Sequence, residues 1–131
     1  MSKVGSPAMP GISVLAIALF FLLGGIAHFV FMEAFIRAMP SYLGFHQALV
    51  VISGVFEILG AIGLLVARTR RLAGLGLIAL AIAVFPANVN MALHPEQFSQ
   101  IPQALLLVRL PLQFLLIWFI WWATAPKNAT A

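Results

Sequence analysis

Apolar residues fill this chain in four long runs, and the polar positions that interrupt them are few. The runs extend from about Gly11 to Phe31, Phe45 to Ala67, Leu72 to Leu93 and Gln103 to Thr124, each near the roughly 20 residues that an α-helix needs to cross a bilayer. Barrel strands of about 10 residues with alternating polarity do not fit such uninterrupted runs. The pattern predicts an all-α fold, a four-transmembrane-helix bundle in one domain over residues 1–131. Pro10 stands at or just before the first turn of the first helix, where its missing N–H costs nothing. A signal peptide has an apolar core of about 7 to 15 residues and a small-residue cleavage site. This first run is longer and ends at Met32-Glu33, so it is expected to remain as a helix of the mature protein.

Between the runs, Glu33 to Gly44 carries Arg37, Pro40 and Tyr42 and reads as a loop with room for one amphipathic turn at the interface. His94 to Ile101 is the second polar connection. Only the tight turn Arg68-Thr69-Arg70-Arg71 separates the second and third runs, so those helices are expected to be antiparallel neighbours.

Composition narrows the class. Of 131 residues 63% are hydrophobic and 8% charged, too few polar groups to clothe a water-soluble domain of this size. The bilayer is therefore the first partner. No cysteine is present, which excludes a disulfide, a thiolate metal site and thiol redox chemistry by this chain alone. The formal charge of +4 has a positional meaning. Lys3, Arg68, Arg70, Arg71 and Lys127 fall on one side, whereas Arg37 stands alone in the loops of the other, with Arg109 inside the fourth span. The excess of basic residues places both termini in the cytoplasm and Trp118, Trp121 and Trp122 at the cytoplasmic headgroup level as anchors. The basic character is this orientation signal and does not indicate nucleic acid.

Candidate chemistry lies in the polar residues inside the spans. A charged side chain at the centre of a bilayer costs roughly 3 kcal/mol on insertion scales, so Glu57 requires a partner or a role. About a dozen large apolar residues in the same span favour insertion by roughly 4 to 7 kcal/mol in total, so the helix can enter the membrane with Glu57 in place. His28 lies one turn beyond Gly24-Gly25, and Ser53, Glu57, Gly60 and Leu64 share a face, so both faces are expected to point inward. Pro86 removes a backbone donor from the carbonyl of Ile82, which nearby Asn88 is placed to repair. Arg109 and Gln113 are one turn apart with Pro111 between them.

Counting 1.5 Å per residue from the outer ends puts His28, Asn88 and Arg109 about 6 to 9 Å deep, and Glu57 and Gln113 about 15 to 18 Å deep. These groups are expected to converge on one polar layer in the outer half, with Glu57 and Arg109 as a coupled charge pair. One histidine there makes no metal site. A stripe of Ala79, Ala83 and Ala87 suits packing within the chain or between copies and leaves the oligomeric state open.

Three stretches in register carry a family resemblance. They are Ser53-Gly54-Val55-Phe56-Glu57-Ile58-Leu59-Gly60 with Gly63-Leu64-Leu65, then Phe85-Pro86-Ala87-Asn88, and Arg109-Leu110-Pro111-Leu112-Gln113. His28-Phe29, Pro40-Ser41-Tyr42-Leu43 and His46 with Leu49-Val50 fall in the same order. Over nearly its whole length the chain resembles the DoxX-like family of small bacterial membrane proteins, departing from it at Met32 and Gly44, where the family has proline. The resemblance implies a four-helix inner-membrane bundle. Some relatives look like membrane subunits of quinone-linked oxidoreductases, such as the DoxD-type subunit of thiosulfate:quinone oxidoreductase, and others like assembly partners. It carries over no catalytic residue.

Three functions are then expected to compete. The first is an auxiliary subunit that binds a quinone or other lipid-like ligand in an outer-half cavity lined by His28, Ser53, Glu57, Asn88, Arg109 and Gln113, with a redox partner protein supplying the redox centre. The second is an assembly or chaperone-like factor whose polar layer only holds the bundle together. The third is a stand-alone proton-transfer enzyme with Glu57 as acid or base and Arg109 holding an oxyanion.

Overall fold

The computed structural model describes residues 9–98 and 100–126. Lys3 and Lys127, two of the residues behind the orientation expected from sequence, lie outside the described residues. Within them the chain is helical, with α1 at Ile12–Val30, α2 at Met32–Ala38, α3 at His46–Leu65, α4 at Arg70–Leu93 and α5 at Gln103–Thr124. A short 3-10 turn, Pro95–Phe98, joins α4 to α5. Four of these helices, α1, α3, α4 and α5, are long and apolar enough to cross a membrane, which fits a multi-pass membrane protein. Each lies within two residues of the bounds expected from its apolar run.

The first connection is more ordered than a loop. The chain leaves α1 at Phe31 and re-enters a helix at once, giving the seven-residue α2. Glu33 in its first turn and Arg37 in its last complement the helix dipole, which favours two turns of helix where the polar composition alone suggested a loop. The following turn ends at Phe45, whose φ of 56° is left-handed, an uncommon state for an aromatic residue. His46, the first residue of α3, donates from Nε2 to the Pro40 carbonyl at 3.1 Å and ties the turn down.

Packing follows the order α1–α3–α4–α5, and α1 and α5 touch only slightly. The main core combines Val14, Ile17, Ala18 and Phe21 of α1 with Ala61 and Leu64 of α3, Leu77 of α4 and Ile120 of α5. A smaller cluster of Met91, Phe98 and Leu106 closes the end that carries α2. Apolar side chains also cover the outside, including Phe20, Phe56, Ile82 and Phe114. This is the surface that acyl chains solvate, and burying it between helices releases little free energy, so close packing and interhelical hydrogen bonds must supply the cohesion.

At the opposite end, beside the α3–α4 turn, arginines close helix termini. Arg70 donates from Nε to the Leu64 carbonyl at 2.7 Å, and Thr69 from Oγ1 to the Gly63 carbonyl at 2.8 Å, so the start of α4 satisfies the last carbonyls of α3. Arg71 reaches the Trp121 carbonyl at 3.1 Å and lies 4.0 Å over the Trp121 ring, doing the same for α5. The basic turn expected to orient the chain thus has a second role, as a set of helix caps. Ala79 and Ala83 of the alanine stripe face outward, and only Ala87 is partly covered.

Candidate functional site

The polar residues of the spans form two separate clusters. The first joins α1 to α3. Gly25 and Gly54 oppose each other where these helices cross: a Cβ on Gly25 would lie 2.9 Å from the Gly54 carbonyl oxygen, and one on Gly54 would lie 2.8 Å from the His28 Cβ. Only glycine admits this approach. It brings His28 Nε2 to 3.2 Å from Glu57 Oε2, with both side chains nearly buried. His28 Nδ1 lies 2.8 Å from the Gly24 carbonyl, which can only accept, so Nδ1 carries its proton. A hydrogen bond across the Nε2 to Oε2 gap then needs one further proton. Whether that proton sits on imidazole or carboxyl, the pair sums to zero charge. Phe35 of α2 stacks on the imidazole at 4.1 Å between ring centroids and covers it from the α2 end.

The second cluster joins α4 to α5. Asn88 donates from Nδ2 to Gln113 Oε1, and Gln113 donates from Nε2 to the Ala81 carbonyl. Arg109 donates to Asn88 Oδ1 at 3.0 Å and toward Met91 Sδ at 3.4 Å. Among the described residues no acidic side chain reaches its guanidinium, which is partly exposed. This cluster therefore keeps a full positive charge. Between the two clusters runs α2, held to the first by the Phe35 stack and to α4 by Asn90, which donates to the Ala38 carbonyl at 3.1 Å.

Three sequence expectations need correction. Glu57 and Arg109 do not pair: the glycine crossing delivers Glu57 to His28, while the α4–α5 contact delivers Arg109 to Asn88. The single polar layer is divided, because each pair of adjacent helices satisfies its own polar groups. Asn88 does not cap the backbone beside Pro86. Its side chain bonds Gln113 and Arg109 instead, and Gln113 bonds the Ala81 carbonyl, one residue before the Ile82 carbonyl that Pro86 leaves without its donor.

Among the described residues Ser53 makes no side-chain hydrogen bond, although it shares a face with Glu57. Phe35, Asn90 and Met91 were not singled out from sequence. Phe35 and Met91 are apolar residues among many, and Asn90, at the last turn of α4, resembles an ordinary span end.

Two surface recesses are apolar. One, of about 430 Å³, is lined by Leu112, Leu115, Leu116, Trp118 and Phe119 of α5. The other, of about 210 Å³, lies between α1 and α3 along Leu15, Leu19, Leu22, Ala61 and Ile62. Neither is lined by a polar residue of the clusters. Among the described residues no group of three acidic, histidine or cysteine side chains could hold a metal ion.

Comparison with known proteins gives a family without an assigned role. The chain belongs to the family described as a domain of unknown function, DUF8561, whose model matches residues 17–124 and so includes every residue of both clusters. No curated protein and no solved structure matches it.

Proposed function

We propose that this chain is a bacterial inner-membrane protein that binds a quinone or lipid-like ligand and serves as an auxiliary subunit of a membrane oxidoreductase. The observation that carries the reading is Arg109, a partly exposed cation inside a span whose partners, Asn88 and Met91, are both neutral. Intramembrane charges of this kind mark ligand or ion sites by default. The resemblance to DoxX-like proteins supports the quinone-linked setting. A redox partner supplies the redox centre in this reading, because the chain offers neither cysteine nor the paired histidines that a haem would want.

Native mass spectrometry of the detergent-extracted protein, paired with thermal unfolding in a short-chain ubiquinone, tests the reading. Retention of one ligand per chain is expected, as is stabilisation of about 2.7 kcal/mol at a hundredfold excess over Kd. A chain that emerges empty and melts unchanged overturns it. Orientation is part of the proposal: the basic α3–α4 turn supports cytoplasmic termini, so a reporter after Ala131 should be cytoplasmic and one inserted near Gln97 periplasmic.

An assembly factor without a ligand is the second reading. Its support is the closed chain from Asn88 through Gln113 to Ala81, in which the buried amides satisfy one another.

A further inference from the structure

Backbone closes the His28–Glu57 pair from within the bundle. A Cβ on Gly24 would lie 2.8 Å from Glu57 Oε1, and the Gly25–Gly54 crossing stands beside the imidazole; where a methyl group does not fit, a water molecule does not either. The lipid-facing flanks offer no water. What remains is the end at which Phe35 lies stacked on the ring. His28 stands in the last turn of α1, so this is also the end nearer the aqueous phase. Of the two side chains only 9% and 12% of the surface is exposed, so with Phe35 in place the proton they share is cut off from water.

The cover is weakly held. None of the seven residues of α2 is buried, and isolated helices shorter than about 12 to 15 residues are marginal, so contacts with its neighbours keep it in place. Those contacts are the Phe35 stack, the bond from Asn90 to the Ala38 carbonyl, and Ala38 against the cluster of Met91, Phe98 and Leu106. The helix also lies between two breaks. Phe31, at φ −114° and ψ 41°, departs from helical geometry, and Met39 is extended before Pro40. His46 holds the Pro40 carbonyl, which fixes the chain beyond the second break.

We propose that α2 is a lid over a proton-exchange site, and that the His28–Glu57 pair releases and regains its shared proton only when Phe35 swings off the imidazole. The exchanging atoms are His28 Nε2 and Glu57 Oε2. Transfer of the proton to water leaves the pair with one negative charge, and its return from hydronium restores neutrality. Neighbouring charges do not intervene. Glu33 and Arg37 of α2 are exposed, His46 of α3 bonds Pro40, Asn90 of α4 is neutral and Arg109 of α5 bonds Asn88; among the described residues none of them pairs with His28 or Glu57. The lid is independent of the ligand reading above, which rests on the other cluster.

The test uses the full chain in nanodiscs with ¹⁵N-labelled histidine and reads exchange of the His28 ring proton with water by NMR. Slow exchange should keep that signal visible in the wild type. Asn90→Ala frees Ala38 without touching His28 and should speed exchange about threefold, the worth of one average interhelical hydrogen bond in a membrane. Phe35→Ala removes the stacked ring and should speed it up to about tenfold, the upper worth of an aromatic pair. Phe35→Tyr keeps the stack and should exchange as the wild type does. Backbone amides of α3 should stay protected from hydrogen exchange throughout, which separates opening of α2 from unfolding of the bundle. A wild-type His28 that exchanges as fast as free imidazole overturns the proposal, because nothing is then sealed. A rate that Asn90→Ala leaves unchanged overturns it too, since the ring alone and not the helix would be the cover. Loss of α3 protection in Asn90→Ala has the same force, because the bundle and not the lid then opens. If the rates follow the expectation while the chain emerges empty of quinone and lipid, the ligand reading fails and the lid stands.

Discussion

Two helix pairs in this bundle solve the same problem in opposite ways. Both α1–α3 and α4–α5 must hold polar side chains inside a hydrocarbon-facing structure. In α1–α3 three glycines remove side-chain bulk, the backbones close up, and His28 and Glu57 meet as a neutral unit beneath Phe35. In α4–α5 the one close glycine approach, Gly74 against Thr124, lies at the far end, and the polar residues Asn88, Gln113 and Arg109 meet through long side chains. The first arrangement hides its polar groups and cancels their charge. The second satisfies its amides yet leaves one cation at the surface. A glycine crossing at the polar residues thus produces a sealed pair, whereas polar contact through long side chains leaves a cation with only neutral partners.

The contrast breaks most completely if the glycine crossing is blocked. Gly25→Leu places a Cβ against the Gly54 carbonyl and the Ile58 side chain, neither of which can move without shifting α3. A loss of about 3 kcal/mol or more is expected, at the upper end for an overpacked interface, read as a lower unfolding midpoint in detergent. Because α1 must then stand off from α3, the same variant should also lose the His28–Glu57 contact, visible in the ¹⁵N chemical shift of His28 Nε2. An unchanged midpoint would show that the crossing is not close.

A smaller effect tests which residue partners Glu57. In a double-mutant cycle, His28→Leu and Glu57→Leu should couple by about 1 to 3 kcal/mol, as groups in direct contact do. Glu57→Leu with Arg109→Leu should be additive within about 0.5 kcal/mol, the behaviour of groups that share no partner. Coupling in the second cycle instead of the first would restore the charge pair expected from sequence and remove the division into two clusters.

The smallest change expected is Gln113→Leu, which deletes the bonds to Asn88 and to the Ala81 carbonyl. Interhelical hydrogen bonds in membranes contribute about 0.6 kcal/mol on average and up to about 1.7, so a loss of roughly 1 to 2 kcal/mol is expected for the two. Glu57 and His28 should be unaffected, which the His28 ¹⁵N shift would report. A loss as large as that of Gly25→Leu would mean that α4–α5 depends on its polar contacts far more than the comparison allows.

The four spans were legible because hydropathy is a local property: a run of about 20 apolar residues has few alternatives in or out of a bilayer. The polar residues that matter were legible for the same reason, since Glu57, Arg109, Asn88, Gln113 and His28 each stand out against an apolar background. Their partners were not. Counting residues gives the depth of a side chain, but pairing depends on which helices adjoin and how near their axes come. Gly25 and Gly54 set that distance jointly, from positions 29 residues apart. The helix α2 was only half visible, because seven residues with mixed polarity carry a weak periodic signal and its place is decided by Phe35 on His28 and Asn90 on Ala38. Hydropathy read along the chain is enough for the helices, their approximate ends and the groups that need partners. Only the tertiary structure decided that Glu57 is neutralised and Arg109 is not, because neutralisation depends on contact distance and contact distance on how closely the backbones pack.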